Sequence, residues 1–195
     1  MQQHDFAEEA PRLDIEHDAL LARFGKIQEP YPALLQKREG GGFGIVFPLV
    51  GLAYHLTLAF LGDIDDAEAS RAMDALDAAC AGSASVLLAS DSLGKFGRPT
   101  DATLWLGIAS DPALATLAER VREELAARDV PFDPKPFRPH ITLGRRMRIP
   151  KKPLPLLAFP LPAQAQTVTL FKSTLSRDGA EYKPLYTVEL ARPNL

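Results

Sequence analysis

Two periodicities run through this chain. Apolar and polar positions alternate in twos over several short stretches, as a strand half-buried on one face requires. Phe43–Leu49 and Ala53–Leu61 read as strands joined through Gly51, and Ser85–Ala89 and Ala102–Ala109 as two more, linked by a polar loop rich in Gly and Pro. A strand is expected from His140 on, where Ile141 and Leu143 alternate with His140 and Thr142. Thr167–Lys172 and Pro184–Leu190 read as a last pair, with a turn at Arg177-Asp178-Gly179.

Helical spacing appears elsewhere. Ile15, Leu20, Leu21, Phe24 and Ile27 form a partial stripe that Pro30 and Pro32 interrupt, and a short helical piece is expected around Ala33–Lys37, before Gly40-Gly41-Gly42. Asp65 or Asp66 caps a helix running through Ala81, with Met73, Leu76 and Cys80 on one face and Gly82 at its end. A second helix opens at Asp111-Pro112 and carries Leu114, Leu117, Val121 and Leu125. Prolines 131, 134, 136 and 139 hold the approach to His140 extended, and Pro150–Pro162 reads as a surface wrap. Helices and strands mix without strict βαβ alternation, so the expected class is α+β with largely antiparallel sheets.

Composition narrows the function classes. Twenty-two Lys+Arg against 25 Asp+Glu leave a net charge of −3, so a nonspecific nucleic-acid coat has no support and any anion site must come from local clustering. Cys80 is the single cysteine, which excludes an intrachain disulfide and a cysteine-based zinc cluster; on the apolar side of a helix it reads as inert packing. Residues 40–62 carry no formal charge and are long enough to span a bilayer as a helix. Their glycines, Pro48, His55, Thr57 and period-two pattern argue for strands instead. The N-terminus is acidic and polar, without the basic start and apolar run of a secretory signal. A cytoplasmic protein with no membrane partner is expected, and no obligate protein partner is evident.

One internal echo carries chemistry. His55-Leu56-Thr57-Leu58-Ala59 and His140-Ile141-Thr142-Leu143-Gly144 repeat the pattern His-apolar-Thr-Leu-small, using two of the four histidines. On a strand, residues two apart share a face, so each imidazole has a threonine hydroxyl beside it while the aliphatic residues face a core. Two imidazoles are suited to act as acid and base together near pH 7, which phosphodiester cleavage needs, and hydroxyls can donate to nonbridging phosphate oxygens. Neither segment offers the closely spaced third ligand a metal site would want, so no metal or other cofactor is expected. Five cations fill the eight positions Arg145–Lys152; the guanidinium fork of Arg145, nearest the second histidine, suits phosphate. Lys95 and Arg98 are weaker candidates for backbone phosphates. Phe96, Trp105 and Tyr182 are candidates to stack a base. Phe96, in a glycine-flanked loop, is the best of them, whereas Trp105 between two leucines reads as core. His4 and His17 have no matching partner and receive no role.

HLTLAFLG at 55–62 and PHITLGR at 139–145 resemble the paired HxTx motifs of the 2H phosphoesterases, most closely the bacterial RNA 2′,3′-cyclic phosphodiesterases also described as 2′-5′ RNA ligases. SLGKFGRPTDATLWLGI at 92–108, the helix at 111–128 and LSRDGAEYKPLY at 175–186 extend the resemblance over about residues 43–191. The resemblance implies a bilobed fold, two antiparallel sheets with outer helices around a central cleft, for a domain of residues 43–195. It implies His55 as the general acid protonating the leaving 3′ oxygen, and His140 as the general base activating water. Thr57 and Thr142 would hold phosphate oxygens, Arg145 would face the cleft, and a 2′-phosphate would be left. The same site run in reverse with a 5′-hydroxyl end would ligate RNA. The implied partners are RNA ends or nucleotides bearing a 2′,3′-cyclic phosphate, with no metal. A small cyclic nucleotide, an ADP-ribose cyclic phosphate or a 2′-5′ oligoadenylate as substrate, and a noncatalytic RNA-end binding module, stay open beside this. The family opens with a strand at the extreme N-terminus. Here residues 1–42 are expected to be an atypical, partly helical segment ahead of the first strand.

Overall fold

A computed structural model describes residues 42–50, 54–149, 163–176 and 179–192, all within one compact unit. The expected helical pieces before residue 40, the surface wrap at 150–162 and the turn residues 177–178 lie outside the described residues. The strands are β1 (Gly42–Val50), β2 (Tyr54–Gly62), β3 (Val86–Leu88), β4 (Ser90–Arg98), β5 (Asp101–Ile108), β6 (His140–Met147), β7 (Ala163–Ala165), β8 (Thr167–Ser176) and β9 (Gly179–Glu189). Two helices, α1 (Asp66–Cys80) and α2 (Pro112–Ala126), complete the described elements. Seven strands form one antiparallel sheet in the order β4-β5-β6-β2-β1-β8-β9, and β3 and β7 pair separately. The fold is α+β, as the element pattern predicts. Residues 42–50 and 54–62 are strands, and no helix among the described residues is long and apolar enough to cross a membrane.

Both helices start on the signals their sequences carry. Asp65 accepts from the Glu68 backbone N–H at 2.7 Å, and Glu68 reaches back to the Asp65 N–H at 2.8 Å, a reciprocal capping box. Asp111 caps α2 through the Leu114 N–H, with Pro112 inside the first turn. No basic residue occupies the last turn of α1. Arg120 of α2 supplies the missing donors instead, bonding the Ala78 and Ala81 carbonyls and the Ser83 hydroxyl. The buried face of α1 is mostly alanine (Ala69, Ala72, Ala75, Ala79), which lets it lie close to its neighbours. Leu114, Leu117, Val121 and Leu125 of α2 join Leu56, Leu58, Ile141, Val168 and Leu170 of the sheet in one core. Cys80 packs there, and burial pushes its thiol up to about 11.

Three expectations need correction. The polar stretch after Ser90 is not a loop; it is β4, an edge strand. Its ladder to β5 pairs Gly94 with Trp105 and Phe96 with Thr103. Most of its side chains meet solvent, so the apolar alternation that marks a half-buried strand is missing; the backbone ladder to β5, the partly buried Leu93 and the Phe96–Trp105 stack hold it. Phe96 therefore sits on a strand rather than in a loop. Trp105 is half-buried rather than core: its indole lies across Gly94, where an added Cβ would come within 1.9 Å of the ring. Finally, β8 and β9 extend further toward each other than the apolar pattern indicates, and Pro184 is accommodated because β9 is an edge strand. The short β7 carries no sequence signal of its own.

Replacing Asp65 by Ala removes the cap and should cost about 1 kcal/mol, lowering Tm by about 2–4 °C, measured by thermal circular dichroism. Gly94→Ala forces the indole off its seat and should destabilise by about 1–3 kcal/mol. Trp105 is the single tryptophan, so a shift in native emission reports the displacement directly.

Candidate active site

The two echo segments become β2 and β6, neighbours in the sheet, joined at the register pair Leu56↔Ile141. Leu56 and Ile141 are buried on the helix side. Their flanking residues therefore all point to the opposite face, and antiparallel pairing sets His55 across from Thr142 and Thr57 across from His140. The four side chains form a square with local two-fold symmetry about the aliphatic pair, all of them half-buried. The two histidines occupy one diagonal, with Cα atoms on the order of 7–8 Å apart for such a relation.

Each imidazole stands in an aromatic notch. Tyr182 of β9 meets the His55 ring edge-on at 5.0 Å between centroids, and Phe171 of β8 lies at 6.2 Å. Phe96 of β4 and Trp105 of β5 flank His140 at 5.9 and 6.2 Å and stack on each other at 5.2 Å. Packing against these rings limits the rotation of each imidazole. His140 is further oriented by its backbone: Nδ1 lies 2.7 Å from the Arg138 carbonyl. A carbonyl only accepts, so Nδ1 carries the proton and the neutral ring presents a lone pair at Nε2.

The segment carrying Arg138 is itself braced. Arg122 of α2 donates to the carbonyls of Asp133 (2.9 Å) and Lys135, and its guanidinium lies over the Phe132 ring. The Asp133 N–H donates to the carbonyl of Phe60 at the end of β2. Lys135 donates to Asp133 through both its ammonium and its backbone N–H, which holds that carboxyl below the ordinary range. Beside His140 and Thr57 opens a groove of about 610 Å³, walled by this segment and by Phe60 and Phe96.

Of the residues singled out in the sequence, His55, Thr57, His140, Thr142 and Phe96 come together on this face. Arg145 is exposed on β6 and does not line the groove. A bulge lies just past it, where Arg146 adopts φ 57° and the β5–β6 register slips between Gly144 and Met147. Lys95 and Arg98 are exposed on β4. Sequence reasoning missed Phe171, the Arg138 carbonyl and the Arg122 brace. The first reads as one more alternating strand residue, and the others act through backbone atoms that no side-chain pattern reveals.

The model of the 2′-5′ RNA ligase superfamily matches residues 50–176. The RNA 2′,3′-cyclic phosphodiesterase of Thermotoga maritima is 30% identical over 166 residues, 83% of this chain and 88% of that protein. Its counterpart from Geobacillus stearothermophilus is 34% identical over 145 residues, 73% of this chain but 46% of that protein, so the chain spans about half the length of that relative. Among solved structures, E. coli LigT complexed with 3′-AMP aligns with TM-score 0.62 and 25% identity, covering 78% of this chain and 99% of the other. A family model that begins before the first His-x-Thr strand and ends beyond the second, with relatives alike over most of this chain, shows that the chain belongs to the 2′-5′ RNA ligase superfamily of 2H phosphoesterases.

Proposed function

We propose that the protein is an RNA 2′,3′-cyclic phosphodiesterase in which His140 is the general base and His55 the general acid. The register Leu56↔Ile141 carries this reading, because it sets two imidazoles and two hydroxyls around one point on the open face of the sheet. A cyclic phosphate seated over that pair receives hydrogen bonds from Thr57 and Thr142 on its nonbridging oxygens, where charge grows during attack. Nε2 of His140 takes a proton from water. The water oxygen bonds to phosphorus opposite O3′, the P–O3′ bond breaks, and His55 delivers its proton to O3′, leaving a 2′-phosphate. The Arg138 carbonyl supports the assignment of the base, since it keeps the proton of neutral His140 on Nδ1 and stabilises the imidazolium that forms. Phe96 offers an exposed stacking surface beside the site. The curated relatives named for this activity support the substrate class.

His55→Ala and His140→Ala should each lower kcat for an RNA ending in a 2′,3′-cyclic phosphate by about 10²–10⁴-fold, with Tm close to that of the parent. Either variant keeping most of its activity removes the role assigned to that residue. Thr142→Val should cost on the order of 10²-fold in kcat. Turnover should survive exhaustive EDTA treatment; its loss, restored by a divalent ion, contradicts the two-histidine scheme.

A further inference from the structure

Arg122 draws no attention in the sequence, yet its side chain reaches the segment that aims His140. Residues 130–139 have no regular secondary structure. Prolines 131, 134, 136 and 139 remove four N–H donors, so no ladder holds this stretch and its carbonyls are its main polar handles. The chain turns back at Asp129, φ 53°, and passes Arg122 on α2. There Nη2 of Arg122 donates to the carbonyls of both Asp133 (2.9 Å) and Lys135. Every hydrogen bond that the guanidinium makes among the described residues goes to these two main-chain oxygens. Nε is buried without a hydrogen-bond partner among them, and the group stands 5.4 Å from the centroid of the Phe132 ring.

We propose that Arg122 is a positioning residue for the general base: it fixes the Arg138 carbonyl and, through that oxygen, the tautomer of His140. This rests on the base role proposed for His140. Slack in the chain decides how firmly the carbonyl is aimed. After Arg138 the segment is pinned by the Ile108 N–H, which donates to the Pro139 carbonyl at 3.1 Å. Before it, the last pin is Arg122 on Lys135. Residues 136–138 lie between: a proline of fixed φ, Phe137 packed against the core, and Arg138, which the following proline confines to extended backbone. Without Arg122, the nearest earlier hydrogen bond to the rest of the fold runs from the Asp133 N–H to Phe60, and the slack grows to residues 134–138.

The Arg138 carbonyl, 2.7 Å from Nδ1, keeps the proton there. A neutral imidazole left to itself carries its proton mainly on Nε2, and such a ring has no lone pair where the base needs one. Release of the segment therefore turns the base into a donor. The anchor is itself fixed, because Arg120 ties α2 to α1 through the Ala78 and Ala81 carbonyls. Two arginines on one helix thus hold different things. A planar guanidinium presents both N–H bonds of Nη2 in set directions, one to each carbonyl, which the shorter, rotating ammonium of lysine does not reproduce.

The experiment reads the imidazole directly. His140 is labelled with nitrogen-15 and its ring observed by NMR in mildly alkaline solution, and hydrolysis of an RNA ending in a 2′,3′-cyclic phosphate is measured alongside. Arg122→Met should move the proton from Nδ1 toward Nε2 and lower kcat by about 10–10²-fold, with KM kept within about twofold. Arg122→Lys should shift both readouts in the same direction by less, with kcat down about threefold. Arg120→Met serves as the control: its Tm falls, yet the His140 tautomer and kcat stay at the parent's values. If Arg122→Met does not fold, Arg122→Lys decides by the same readouts, and parent-like values there overturn the proposal. So does a tautomer unchanged in the Arg122 variants, or an equal loss of kcat in Arg120→Met. A rise in KM with kcat kept also overturns it, by making the guanidinium a substrate contact. Failure of the acid–base reading is separate, since the tautomer is read on protein free of substrate. In that case the proton still moves with Arg122, while hydrolysis is absent in the parent or persists in His140→Ala.

Discussion

Everything on the open face of this sheet follows from one contact, the pairing of Leu56 with Ile141. The ladder between β2 and β6 has this single register pair, whereas the other ladders of the large sheet have five or more. Two side chains buried among helix residues thereby set the phase of both strands. A slip of one residue would turn an imidazole and its hydroxyl into the core and bring aliphatic groups to the surface. Burying leucine and isoleucine, each about 1.5–3 kcal/mol when fully buried, holds that phase far more firmly than interactions among the polar residues could. The chemistry is exposed because the packing beneath it is not negotiable.

Around this joint the two halves of the sheet treat their histidines alike. Each imidazole is braced by two aromatic rings from strands further out, Phe171 and Tyr182 on one side, Phe96 and Trp105 on the other. The halves differ in what lies beyond. The His140 side adds a proline-stiffened segment fastened by Arg122, whose last carbonyl but one orients the ring. An approximate symmetry of scaffold thus becomes an asymmetry of surroundings: one imidazole has its tautomer set by a backbone acceptor and a groove at its flank.

Much of this was readable in advance. The capped helices announce themselves through Asp65, Glu68, Asp111 and Pro112, because capping is a local interaction between residues three apart. The two His-x-Thr strands were legible because alternation is a property of the strand itself. By contrast, β4 carries no such mark: an exposed edge strand is held by backbone bonds to β5, so its side chains are free to look like a loop. Trp105 was drawn toward the core by the leucines on either side, yet those leucines face the core and turn the indole to the other face, over Gly94.

The residue pattern by itself determined which side chains share a face of each alternating strand, where the helices begin, and that two imidazoles with neighbouring hydroxyls exist to be used. Only the tertiary structure decided that β2 and β6 lie side by side in the register that opposes His55 to Thr142, that Phe171 and Tyr182 close on one ring, and that a carbonyl from residue 138 fixes the proton of the other. The physical reason is range. Periodicity and capping act within a few residues, whereas register between distant strands is chosen by how a whole core packs, and backbone atoms take part in it without leaving any trace in side-chain identity.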